Sequence, residues 1–96
     1  MNIYELRTEI KNGDSFSEWF FDLEEAKNKM DYDVRHLTAD ELANREIYIL
    51  KSTVTCDEEF SNAEELVKAL FNGDIEVPEF DDVTGNFKKS ETVESK

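Results

Sequence analysis

Ile3-Tyr4-Glu5-Leu6-Arg7-Thr8-Glu9-Ile10-Lys11 alternates in character residue by residue, and how this stretch folds decides the architecture of the chain. Tyr4, Leu6, Thr8 and Ile10 fall on one side at period two. Glu5, Arg7, Glu9 and Lys11 fall on the other, the signature of a half-buried strand. Asn12-Gly13 follows, and both residues tolerate positive φ, so the pair suits a two-residue hairpin turn. The aromatic-rich run from Phe16 to Phe21 then reads as the return strand, with Phe16 and Phe20 on one side and Trp19 and Phe21 on the other. A helix competes for the first of these segments. Asn2 with Glu5 fits a capping box, and Ile3, Leu6 and Ile10 share a helical face that Gly13 would close. The hairpin is the favoured reading.

Further along, Asp22 with Glu25 marks a helix start, and the helix formers behind it predict a helix from Leu23 to about Met30 with a connector over 31–37. Thr38 with Glu41 caps a short helical turn. Residues 46–56 hold Ile47-Tyr48-Ile49-Leu50 and Thr53-Val54-Thr55, the densest run of β-formers, with apolar residues on both faces as in a central or doubly covered strand. Ser61 with Glu64 opens another helix, in which Ala63, Leu66, Val67, Leu70 and Phe71 recur at helical spacing up to Gly73. Ile75, Val77 and Phe80 alternate around Pro78, which suits an edge strand. The expectation is an α+β fold: a small antiparallel sheet, made of the N-terminal hairpin and a central strand over 46–56, packed with two or three short helices. One domain is expected over residues 1–80, with a weakly ordered tail over 81–96.

Charge is the outlier. Twenty-four acids against eleven bases give −13, and −9 of this lies in residues 57–82, where ten acids meet only Lys68. Such a field repels nucleic acid and anionic membrane and attracts basic surfaces. No apolar run approaches the roughly 18 residues needed to span a bilayer. Met1-Asn2-Ile3-Tyr4-Glu5 lacks the basic and apolar segments of a secretory signal. With a single Cys56, no internal disulfide can form, so the expected location is a reducing cytoplasm.

Catalytic and metal signatures are weak. One His36 and one Cys56 fall in different predicted segments, too little for a nucleophile–base pair or a zinc site. Asp31-x-Asp33 begins like a calcium loop, but Arg35, His36 and Leu42 occupy positions that need an oxygen ligand, a glycine and a glutamate. Gly13, Gly73 and Gly85 are too far apart to cradle a phosphate. No enzyme activity, cofactor or metal is expected.

Two features remain. Trp19 and Phe21 would be apolar anchors if their side of the strand were left uncovered, although helices covering both sides, or a self-associating sheet, answer the same pattern. The acids Asp57, Glu58, Glu59, Asp74, Glu76, Glu79, Asp81 and Asp82 form the second. Those before the helix suit its dipole, but those after Gly73 have no such local reason. Carboxylates spaced about 5–8 Å apart could imitate a nucleic-acid backbone, which carries one charge per roughly 1.7 Å of duplex axis.

The opening hairpin and the run Phe20-Phe21-Asp22-Leu23-Glu24-Glu25-Ala26-Lys27, over roughly the first 56 residues, resemble small accessory proteins of bacteriophages and mobile elements. The size and acidity resemble phage anti-defence proteins, including anti-CRISPR inhibitors and DNA mimics. That resemblance implies inhibition of a host nuclease by occupying its nucleic-acid groove. The expected function is an acidic protein that binds and inhibits a basic partner, such as a nuclease or other nucleic-acid-binding protein. The alternatives are an immunity- or antitoxin-like protein against a basic toxin, or a non-catalytic phage structural or assembly protein.

Overall fold

The computed structural model describes all 96 residues. The first segment is a strand: β1 (Asn2–Ile10) pairs antiparallel with β2 (Ser15–Phe20), opposing Tyr4 to Phe20 and Thr8 to Phe16. The turn departs from the two-residue expectation. Only Asn12 takes positive φ (60°), and the Gly13 N–H donates to the Ile10 carbonyl across the bend at 3.0 Å. Space at Gly13 is tight, since a Cβ there would sit 3.0 Å from Ile10 Cγ2.

Helix α1 (Leu23–Arg35) starts where Asp22 accepts the Glu24 N–H at 3.2 Å, and it runs a full turn beyond Met30. Its buried stripe explains the extension: Leu23, Ala26, Met30 and Val34 recur at helical spacing against one core. Asp31 and Asp33 are therefore helical, paired to Lys96 (3.4 Å) and Lys29 (2.5 Å). Helix α2 (Ala39–Ala43) has the expected reciprocal cap, with Thr38 accepting from Glu41 N and Glu41 from Thr38 N. Strand β3 (Arg45–Thr53) pairs antiparallel with β1 along its length, ending before the expected Cys56.

Helix α3 (Ala63–Asn72) is capped by Asn62 rather than Ser61, because Asn62 reaches the Glu65 N–H at 2.9 Å while Ser61 bonds the Glu65 carboxylate. Gly73 closes it in the left-handed conformation, φ 76°. Gly73→Ala is expected to cost about 1 kcal/mol through that backbone alone, since no atom lies within 4 Å of an added Cβ; urea unfolding measures it. Val77-Pro78-Glu79-Phe80 is a turn, closed by Phe80 N–H to Val77 O at 3.3 Å, and not the expected edge strand.

The expected weakly ordered tail over 81–96 is a correction. Strand β4 (Phe80–Asp81) pairs with β5 (Asn86–Phe87), and β6 (Glu91–Ser95) adds to the edge of β3. The tail is held by contacts a local reading misses: Val93 packs on the α1 core, Glu94 lies 3.8 Å from Lys27, and Lys96 N–H donates to Ile47 O.

The result is a four-stranded antiparallel sheet in the order β2-β1-β3-β6, with a separate β4-β5 hairpin. It separates two cores. On one face, Tyr4, Leu6, Ile47 and Ile49 meet Ala26 and Met30 of α1. On the other, Ile3 and Val54 meet Leu66, Val67 and Leu70 of α3, with Val77 and Phe80 beside them. Both sides of the hairpin strands are thus covered, and the charged side of β1 is no plain solvent face.

Candidate functional site

The acids of residues 57–82 surround α3. Asp57, Glu58 and Glu59 lie in the loop that enters it, Glu64 and Glu65 in its first turn, and Asp74 and Glu76 just past Gly73. Glu79, Asp81 and Asp82 follow in the turn and hairpin. The entering and leaving segments are tied together, because Glu79 accepts the Thr55 N–H (2.9 Å) and the Thr55 hydroxyl (2.8 Å). The stretch therefore belongs to one layer of the molecule, over one face of the sheet.

None of these ten carboxylates forms a salt bridge within the chain, although the N-terminus acts on Glu79 and Lys88 on Asp81 at longer range. All nine salt bridges involve acids outside residues 57–82. Four of the ten do structural work. Glu64 accepts the Trp19 N–H of the β2 edge at 2.8 Å, Glu65 the Ser61 hydroxyl, Glu79 both groups of Thr55, and Asp81 the N–H groups of Val83 and Thr84. The other six, Asp57, Glu58, Glu59, Asp74, Glu76 and Asp82, are exposed and accept no hydrogen bond from the chain. The eight acids read from the sequence thus divide into six free charges and two, Glu79 and Asp81, that also brace the fold.

The hydrogen bonds from Thr55 hold the Glu79 carboxyl below its ordinary value, and those from Val83 and Thr84 do the same for Asp81. A depressed carboxyl stabilises the fold at pH above its unfolded value and loses that contribution as pH falls through the folded one. Glu79→Gln is accordingly expected to be less stable than the parent at neutral pH. The two stabilities should converge below about pH 4, the ordinary glutamate range; urea unfolding at a series of pH values tests it.

Trp19 and Phe21 are not free anchors. Both are partly buried against the α3 core, and the Trp19 ring lies 5.7 Å from that of Phe87. Phe87 in turn meets Phe80 at 5.3 Å, and Phe80 meets Phe71 at 5.6 Å. The aromatic side chains that do reach solvent are Phe16, Tyr32 and Phe71.

Beneath this aromatic cluster is a cavity of about 470 Å³ that sequence reading missed. Its floor is the sheet, with Glu5, Arg7, Ser17, Trp19, Leu50 and Ser52. Its roof is Phe71 and the Gly85-Asn86-Phe87 turn. The Glu5 side chain is only 9% exposed, and its Oε2 accepts from both Arg7 Nε (2.9 Å) and Ser17 Oγ (2.5 Å). Burial opposes the Arg7 charge, but hydrogen bonding to Tyr48 and Glu5, with the Glu5 charge, outweighs it and raises the guanidinium above its ordinary value. Tyr48 donates to Glu9 at 2.7 Å, and Glu9 lies 3.8 Å from Arg7, so two carboxylates flank one cation. The available signal was parity: Ile3 shares a side with Glu5 and Arg7, and only a covered face buries an isoleucine there.

A second recess is of mixed charge, gathering Lys51, Lys88 and Lys89 with Glu79 and Glu91 around Thr53 and Ser90, Lys51 lying 3.9 Å from Glu91. His36 and Cys56 do not meet. His36 ends α1 on one face, its Nδ1 donating to Tyr32 O at 2.7 Å, and Cys56 packs on the α3 core on the other. No group of three or more His, Cys, Asp and Glu side chains is placed to hold a metal ion, and no helix is long and apolar enough to cross a membrane. No protein-family model, curated protein or solved structure matches this chain.

Proposed function

We propose that this chain is an acidic binding protein that engages a basic protein partner through the layer built around α3. The observation that carries this reading is the state of the carboxylates: ten in residues 57–82, one lysine among them, and no ion pair. The like charges repel one another, and a positively charged surface relieves that repulsion on docking.

The partner that fits is a protein with a lysine- and arginine-lined groove, such as a nuclease, in which the carboxylates would take the place of phosphates. This is the chemistry of a phage anti-defence inhibitor, and it excludes direct binding of nucleic acid by the acidic layer. The chain immobilised as bait in a lysate should retain a basic protein at about 50 mM salt. It should release that protein at about 500 mM, where the screening length has shrunk from over 10 Å to a few Å. If the retained protein is a nuclease, added chain should inhibit cleavage in competition with DNA. A retained toxin that is not a nucleic-acid-binding protein would favour the immunity-type alternative, and retention indifferent to salt would rule out a charge-led interface.

A further inference from the structure

We propose that the cavity under the aromatic cluster receives a guanidinium group, the end of an arginine side chain on the basic partner. The inference rests on the binding function proposed above and names the chemistry of one contact within it. Its volume of about 470 Å³ lies in the range of small-ligand sites, about 300–1,000 Å³.

The decisive atom is Glu5 Oε1. Both hydrogen bonds to this carboxylate, from Arg7 and Ser17, fall on Oε2. No buried side-chain oxygen in the molecule lacks a hydrogen-bond partner, so Oε1, which accepts none, keeps some exposure although the side chain is nine-tenths buried, and Glu5 lines the cavity. An accepting, charged oxygen at the floor of a part-apolar cavity calls for a cationic donor. Glu5 and Arg7 balance one another in the lining of the cavity, with Glu9 3.8 Å from Arg7 outside that lining, and with the chain at −13 an anionic ligand would meet repulsion from the surface as a whole.

The walls choose between the two biological cations. Trp19, Phe71 and Phe87 present aromatic rings, and Ser52, Asn86 and Ser90 offer further oxygens. A guanidinium is planar, weakly hydrated and carries five donors, so it can satisfy several acceptors while lying against a ring and tolerates the neighbouring Arg7 better than a compact, strongly hydrated ammonium does. Phe71 is 57% exposed and forms the lip over which the side chain would enter.

Trp19 is the only tryptophan of the chain and lines the cavity, so its fluorescence reports occupancy directly. Titration with N-acetyl-arginine amide should change it saturably, with a dissociation constant in the millimolar range expected of a single side chain. N-acetyl-citrulline amide, uncharged but of the same shape, and N-acetyl-lysine amide should each bind about tenfold more weakly. Glu5→Gln should weaken the arginine probe about tenfold as well. Because that change also weakens the bond to Arg7, Phe71→Leu is the second variant: it removes the ring at the lip and its edge contact with Phe80, leaves Glu5 and Arg7 in place, and should weaken binding about threefold while the melting temperature shows that the fold is kept. Absence of saturable binding, equal binding of citrulline, tighter binding of lysine, or unchanged affinity in both variants overturns the proposal. Failure here with salt-sensitive capture intact removes the arginine pocket and leaves the acidic layer standing; lost capture with this titration intact does the reverse.

Discussion

Leu66→Ala is expected to destabilise the protein by about 3 kcal/mol, because Leu66 is fully buried and its removal leaves a cavity between α3 and the sheet. For a domain of this size, whose total stability is about 5–15 kcal/mol, that is a large share. It corresponds to a fall in melting temperature of roughly 12–24 °C. The reason lies in the division of the core. Leu66 shares its cluster with Ile3, Val54, Val67 and Leu70, all on the α3 face, and the α1 cluster on the far side cannot collapse into the space. Hydrogen exchange should show the consequence as earlier opening of the amides of 63–72 than of 23–35. Thermal and urea unfolding measure the loss, and a cost below about 1 kcal/mol would mean that α3 does not dock on the sheet as described.

The second large effect concerns the partner. Changing Asp57, Glu58, Glu59, Asp74, Glu76 and Asp82 to their amides removes six of the thirteen net negative charges without breaking any hydrogen bond or ion pair, since these six side chains have none. Association with the basic partner should slow by about 10- to 100-fold at low salt, the scale of electrostatic steering. The salt dependence of the rate should flatten, and the melting temperature should hold or rise as like-charge repulsion is relieved. The choice of residues matters. Substituting Glu79 or Asp81 would also remove the bonds to Thr55 or to Val83 and Thr84, and would mix a loss of fold with a loss of charge. Stopped-flow association of parent and variant, each at several ionic strengths, separates the two.

The hairpin and the α1 and α3 helices were legible because their signals are local. Period-two alternation in β1, the caps Asp22 and Thr38, and Gly73 each act within a few residues, and the α+β class follows from them. What escaped depends on contacts distant in sequence. Strand β6 carries a single inward apolar residue, Val93, and is held by Leu50, Lys51, Lys27 and Ile47, more than forty positions away in most cases. The cavity escaped for a related reason: Glu5 and Arg7 read as a solvent face until α3 and the β4-β5 hairpin fold over them. Trp19 and Phe21 looked available because nothing in their own segment covers them; both pack on the distant α3 core, and Phe87, which meets the Trp19 ring, lies in what composition suggested was a tail. The concentration of acids, and the shortage of bases among them, was visible from the first count; that no lysine or arginine from elsewhere in the chain reaches them is a property of side-chain geometry.

The most direct test of an unneutralised acidic layer needs no partner. Paired nitroxide probes of the same shape, one cationic and one anionic, relax amide protons in proportion to their local concentration, and the ratio of the two effects maps surface potential residue by residue. The expected result is the strongest excess of the cationic probe at residues 57–59, 74–76 and 82, a weaker excess along α1, where Lys27 and Lys29 pair with neighbouring acids, and none around Lys88 and Lys89. An excess spread evenly over both helical layers would contradict the localised field on which the proposed binding depends.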